Sequence, residues 1–187
     1  MKPMHEKLEE ISRQHQEYIG CHGYEHTERV IELSKVLGKT MNADMDVLIP
    51  AAILHDIGRP NDNHAYHSGV NARKILQEHG YSKIEEIVHA IEVHSFSVGG
   101  EAKTIEAQIL SDADKLDAIG AIGVYRTAQY GVEHNCTLDE FIKHFHEKLL
   151  KLKDLLYTKE AKKLAEKRHN YMLIYLDQLD KELKGLT

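Results

Sequence analysis

The stretch AAILHDIGRP, residues 51–60, runs an apolar segment straight into an adjacent imidazole and carboxylate, His55 and Asp56, and breaks at Gly58 and Pro60. Each of these polar groups costs free energy when taken from water without a partner. Either they satisfy one another, or a third group such as a metal ion satisfies both. The fold that must place them reads as helical, because apolar residues recur at helical rather than alternating spacing almost everywhere. DMDVLIPAAILHDIG (44–58) is a buried helix carrying the pair late in its course, with Pro50 marking a kink or the true first turn.

Working outward, residues 1 to about 19 form a polar amphipathic helix ended by Gly20 and Gly23. HTERVIELSKVLGK (26–39) puts Val30, Leu33 and Leu37 on one stripe, with Gly38 as its stop. HSGVNARKILQEHG (67–80) is a fourth helix. YSKIEEIVHAIEVHS (81–95) opens on a Ser82–Glu85 capping box, and FSVGGEAKT (96–104) is a loop or lid. Residues 104–131 are a long helix or a helix pair, broken near Gly120, Gly123 and Gly131. Thr137 and Glu140 cap a helix over 138–157, and 159–183 is a last, highly charged one. With no strand pattern, repeat or linker, the expectation is one all-α domain over 1–187. It is a compact orthogonal helical bundle, with core motifs over 20–131 and C-terminal helices over 137–184.

Composition narrows the function. A chain of 187 residues with 42% hydrophobic and 29% charged residues suits a globular domain with a real core. The net charge of -6 argues against nucleic acid as main partner, whereas a metal or a few cations still admit a small anionic substrate. Cys21 and Cys136 read as free thiols of a reducing compartment. MKPMHEKLEE lacks a signal peptide's apolar core, and no apolar run nears the ~18 residues of a membrane span. A cytoplasmic location and no membrane partner are therefore expected. The 14 histidines are several times an average share.

Residues of metal-binding type fall in three places: His26, the His55–Asp56 pair, and the acids Asp112, Asp114 and Asp117 of SDADKLDA. Imidazole with carboxylate suits a divalent ion (Mn, Fe, Ni, Co, Zn or Mg) with positions left for water and substrate. Apolar flanks on both acidic motifs put them where water is scarce, so their carboxylates need partners.

The order His26, His55–Asp56, Asp114 resembles the H…HD…D signature of the HD-domain superfamily of metal-dependent phosphohydrolases. GYEHTERV, AAILHDIGR and ILSDADKLDAIGAIGVYRTAQYG are each similar to its segments. With the trailing 144–172 stretch, the chain is similar to small stand-alone bacterial HD proteins, some of which hydrolyse nucleotides. The resemblance covers about residues 20–180. It implies that His26, His55, Asp56 and Asp114 hold one divalent metal, manganese favoured. Asp114 is chosen because the family's final ligand is followed by a basic and an apolar residue, here Lys115 and Leu116. Asp117 would be a supporting residue, and Asp112 reads as a helix N-cap.

The implied reaction is hydrolysis of a phosphoester or phosphoanhydride of a nucleotide or similar small molecule. Asp56 or a nearby histidine guides the proton of the attacking water, and Lys115, with Arg29 or Arg59, offsets charge in the transition state. Arg29, one turn after His26, and Arg59, at the glycine stop, are substrate-binding candidates, with His67 and His94. Some relatives carry a catalytic acid at the position of Arg59, so an acid-assisted route is in doubt here. Other HD branches use extra histidines in this interval for a second metal; His64, His67, His89 and His94 lie there, and one metal is favoured over two. The remaining histidines read as surface or cap residues. Tyr125 and Arg126 line the pocket or pack in the core. The alternatives are a di-iron oxygenase on the same scaffold and a non-catalytic nucleotide sensor. The tail helix fits either packing on the bundle or a homodimer contact.

Overall fold

The computed structural model describes residues 4–17, 20–59, 61–95 and 100–186, and its elements are all helical. In order they are α1 (Met4–His15), α2 (Tyr24–Met41), α3 (Met45–Leu54), α4 (His64–Glu78), α5 (Ile84–Glu92), α6 (Ile105–Asp117), α7 (Gly120–Glu133), α8 (Leu138–Glu147), a 3-10 helix (Leu149–Leu155) and α9 (Lys159–Leu183). No described helix is long and apolar enough to cross a membrane. The chain divides into two compact units, Met1–Asp114 and Lys115–Thr187, with the boundary inside α6. The motif region 20–131 thus coincides with neither unit. The 96–104 lid falls partly on 96–99, and the end of the first helix near 19 also falls on residues outside the described ones. The ordered helix closes at His15.

In the first unit α3 is the central element. Every residue from Val47 to Leu54 is buried, among α1, α2 and α5. Each large aliphatic side chain among them contributes roughly 1.5–3 kcal/mol on burial. The helix begins where Asp44 accepts the Asp46 N–H at 3.0 Å, so Pro50 lies in its interior rather than in its first turn. At the other end Ser12 Oγ donates to the Ile53 carbonyl at 2.8 Å, which satisfies one orphaned C-terminal acceptor. The chain turns there, and His55 and Asp56 fall in that turn instead of on the helix.

Three local expectations are corrected. Gly38 does not stop α2, which runs on to Met41 and ends on Asn42 in the left-handed conformation. Gly38 instead lies closely packed on α3, where a Cβ would sit 2.6 Å from Leu48 Cδ2. The Ser82–Glu85 box does not form, because α5 starts at Ile84 and Arg73 of α4 captures the Glu85 carboxylate. Asp112 is no cap, for it lies within α6 and is fully buried.

In the second unit the Thr137–Glu140 capping box is present, and the segment expected as one helix divides into α8 and the 3-10 helix. Phe145 of α8 is buried, and α9 packs along α7. Arg168 of α9 lies against Gly120 and donates to the Leu116 carbonyl.

Candidate metal centre

The turn after α3 carries the centre. His55 Nδ1–H donates to the Ala52 carbonyl at 2.8 Å, which leaves the Nε2 lone pair directed away from the backbone. His94, just past α5, repeats the device on Ile91 O at 2.6 Å, and Ser111 Oγ of α6 holds the His94 carbonyl. His26 comes from the first turn of α2 and His64 from the start of α4. All four rings converge on Asp56. His26 Nε2 and His55 Nε2 lie 3.8 and 3.9 Å from Asp56 Oδ2, while His64 Nε2 and His94 Nε2 lie 3.6 and 3.8 Å from Oδ1. Asp114 closes one side, its Oδ1 at 3.3 Å from His26 Nε2.

Among the described residues, two triads have ligand atoms close enough to share an ion: His26–His55–Asp56 and Asp56–His64–His94. Two observations fit the donor set to a divalent cation. The Asp56 Oδ1 atom is buried with no hydrogen-bond partner, a costly state for a carboxylate oxygen. The Nε2 atoms of His26 and His55 also face each other at 3.3 Å, which two lone pairs tolerate only with a proton or an ion between them.

The HD domain family model matches residues 23–119, and it takes in all of these side chains. The chain belongs to the HD domain family. It is 35% identical over 176 residues to the protein YpgQ of Bacillus subtilis, covering 88% of this chain and 86% of that one. The crystal structure of B. subtilis YpgQ in complex with ADP is similar at a TM-score of 0.83 and 30% identity, covering 98% of this chain and all of that one. An HD-superfamily hydrolase from Bacillus thuringiensis is similar at a TM-score of 0.78 and 30% identity, over 96% of each chain.

Electrostatics in the HD centre favour neutral rings around an ionised carboxylate. Burial pushes the His64 and His94 imidazoles down to about 4 and lowers His55 as well. Burial opposes the charge on Asp56, yet the surrounding imidazoles and Arg59 outweigh it, and its carboxyl titrates well below the usual range. Burial likewise opposes ionisation of Asp114, and the bond to His26 overcomes it. Neutral imidazole and carboxylate are the ligand forms a divalent ion requires.

The other candidate residues divide. Arg59 sits at the centre, with Nε donating to Asp56 Oδ2 at 2.7 Å and Nη2 lying 3.3 Å from His64 Nε2. Arg29 is half-buried on α2, one turn beyond His26. His67 is exposed against Tyr66, and His89 accepts the Lys103 N–H, so neither joins the cluster. Lys115 is only 5% exposed and lies over the Tyr157 ring, which rules out an ordinary surface lysine. Asp117 pairs with the buried Arg126 at 3.2 Å, and Tyr125 is exposed rather than packed in the core. The residue that sequence reading leaves unassigned is His64. A signal for it exists: His64, Ser68, Ala72 and Leu76 recur every fourth residue on the buried face of α4, and His67 does not.

Proposed function

We propose that this HD protein is a cytoplasmic, metal-dependent phosphohydrolase that cleaves a phosphoester or phosphoanhydride of a nucleotide. The observation carrying this reading is the buried, unpartnered Asp56 Oδ1 amid convergent imidazole nitrogens. The ADP complex of the related YpgQ supports a nucleotide as the substrate class. His26, His55, Asp56 and Asp114 would hold the ion, manganese favoured, which supplies Lewis-acid polarisation of a phosphoryl oxygen and a water of lowered pKa.

The chain's own groups then have defined work. Asp56, ionised and fixed by Arg59, orients the attacking water through its Oδ1, and it or a nearby histidine guides the water's proton. The Nε2 atom of His94 accepts a hydrogen bond beside it, and that of His64 does so once Arg59 Nη2 moves off it. Arg59, whose side chain is 29% exposed, can swing from Asp56 to a substrate phosphate, where its planar donors match the oxygens. Arg29 and Lys115 are assigned to phosphate from their sequence positions, each beside a ligand residue. The triad Asp56–His64–His94 favours a second reading of the cofactor, with two ions in place of one.

The test is a metal-loaded, full-length protein assayed for release of phosphate and pyrophosphate from a panel of nucleotides, with Asp56→Ala as control. Turnover that is lost in the variant supports the proposal. No turnover with any divalent metal sinks it, and nucleotide binding without turnover would mark a sensor. Metal analysis giving one or two ions per chain decides between the cofactor readings, and two irons would favour an oxygenase.

A further inference from the structure

The two ligand triads that share Asp56 are not equivalent, because Arg59 treats them differently. Its Nε donates to Asp56 Oδ2 at 2.7 Å, and its Nη2 lies 3.3 Å from His64 Nε2. A guanidinium has donors and no acceptor, so the His64 nitrogen is the acceptor in that contact. Lone pairs then separate the triads. A carboxylate oxygen has two, so Asp56 Oδ2 can accept from Arg59 and still face His26 and His55 at 3.8 and 3.9 Å. An imidazole nitrogen has one, and on His64 it is taken by Arg59. His64 is thereby withheld from the triad it would complete with Asp56 Oδ1 and His94.

The backbone keeps the guanidinium in that place. In the turn after α3 the Arg59 N–H donates to the Asp56 carbonyl at 3.2 Å, and Asn61 Nδ2 donates to the Gly58 carbonyl. The Gly58 N–H donates to Ser68 Oγ at 2.9 Å, on the helix that carries His64. The base of the Arg59 side chain and the His64 ring are thus tied to one another. Charge points the same way. Asp56 and Asp114 bring carboxylates enough to balance one divalent ion. A second ion beside the Arg59 cation would put excess positive charge in a buried site, where unpaired charge is expensive. We infer, on the reading of the cluster as a metal centre, that Arg59 is the resident cation of the Asp56–His64–His94 triad. It stands in place of a second ion and holds the free protein to one divalent ion per chain.

Removing the guanidinium has two effects at once. It frees the His64 Nε2 lone pair, and it takes a positive charge from beside Asp56. Both favour a second ion, which would share Asp56 with the first through the two carboxylate oxygens.

The test counts bound metal. Full-length protein is stripped with a chelator, dialysed to equilibrium against Mn(II) up to about 100 µM, which fills sites of micromolar Kd, and its metal measured by plasma mass spectrometry. The wild type should saturate at one ion per chain, and Arg59→Ala and Arg59→Leu, which both lack charge and donors, at two. Arg59→Ala combined with His64→Ala should return to one. Electron paramagnetic resonance is a second readout. Wild type should give the lines of an isolated Mn(II) and the single variants those of a coupled pair, since ions in two-metal sites lie about 3.5–4 Å apart. Circular dichroism identifies the folded variants, and the 29% exposed Arg59 side chain leaves no sealed cavity when shortened. Two ions in the wild type, a count that stays at one in either folded single variant, or two ions that persist without His64 would each overturn the inference. A count of zero in every protein removes the metal centre and the inference with it. Counts of one and two without turnover of any nucleotide support the inference and remove only the hydrolase reading.

Discussion

Asp56 has two unlike oxygens: Oδ2 accepts from the Arg59 guanidinium, whereas the buried Oδ1 faces His64 and His94 with no hydrogen-bond donor. Arg59→Ala removes the cation paired to the buried Asp56 carboxylate. Without metal, this variant should lose about 1–3 kcal/mol of stability in urea. Saturating divalent metal should recover most of that loss, because the ion neutralises the same carboxylate. If the loss is equal with and without metal, the two do not share Asp56. His64 and His67 allow a sharper comparison. His64→Ala should lower turnover at least about tenfold, as loss of a group that supports a metal site does, whereas His67→Ala should stay within about twofold. Equal effects would remove His64 from the centre. The choice between these histidines was legible, since the stripe through Ser68 and Ala72 picks the inward-facing one. Proximity in sequence alone does not make that choice. That His26, His55, Asp56 and Asp114 come together was also legible, because His and Asp at the ends of apolar segments have few other reasons to be there. Arg59 was less so, because its contact to Asp56 depends on how the chain turns after the helix.

The element that decides the site is the turn between α3 and α4, and Gly58 is its tightest point. A Cβ on Gly58 would lie 2.4 Å from Ser68 N and 2.8 Å from His64 O, both backbone atoms of α4 that cannot yield as a side-chain tip would. The Gly58 N–H also donates to Ser68 Oγ at 2.9 Å. Gly58→Ala should therefore push α4 away, cost about 1–3 kcal/mol as overpacked substitutions do, and lower metal affinity together with stability. A variant of unchanged stability and metal binding would show that α4 does not need this approach. The helices themselves were legible from periodicity; their ends were less so. Gly38 looks like a stop and serves packing, because only the neighbour Leu48 reveals the crowding. Ser82 and Glu85 have the right spacing for a cap, but Arg73, on another helix, offers Glu85 a stronger partner. Thr137 and Glu140 meet no such competitor, and their cap forms. Local pattern decides where no long-range contact outbids it.

At the scale of the whole molecule, the centre makes folding answer to pH. In the metal-free protein His64 and His94 titrate near 4 and His55 is lowered, against about 6.5 in an unfolded chain. Above about pH 7.5 these rings are neutral in both states and contribute no slope. Between about 7.5 and about 4 the unfolded chain takes up protons that the folded protein refuses, so stability falls as pH falls, by roughly 1.4 kcal/mol per pH unit for each full proton difference. Below about 4 the carboxyls of Asp56 and Asp114, held under their ordinary range, continue the loss in the same direction. Urea unfolding in the presence of a chelator should thus give a plateau above about pH 7.5 and a decline that is steep by about 6. That is well above where carboxylates alone would start it. Replacing His94 with Gln should flatten the slope at pH 5 by about one proton's worth. A divalent ion, which binds only neutral rings, should raise the plateau by RT ln(1 + [L]/Kd), and its benefit should disappear toward pH 5. Stability that is flat from pH 7.5 to 5 would mean that the histidines are accessible and charge freely in the folded state, which would remove the burial on which the metal centre rests.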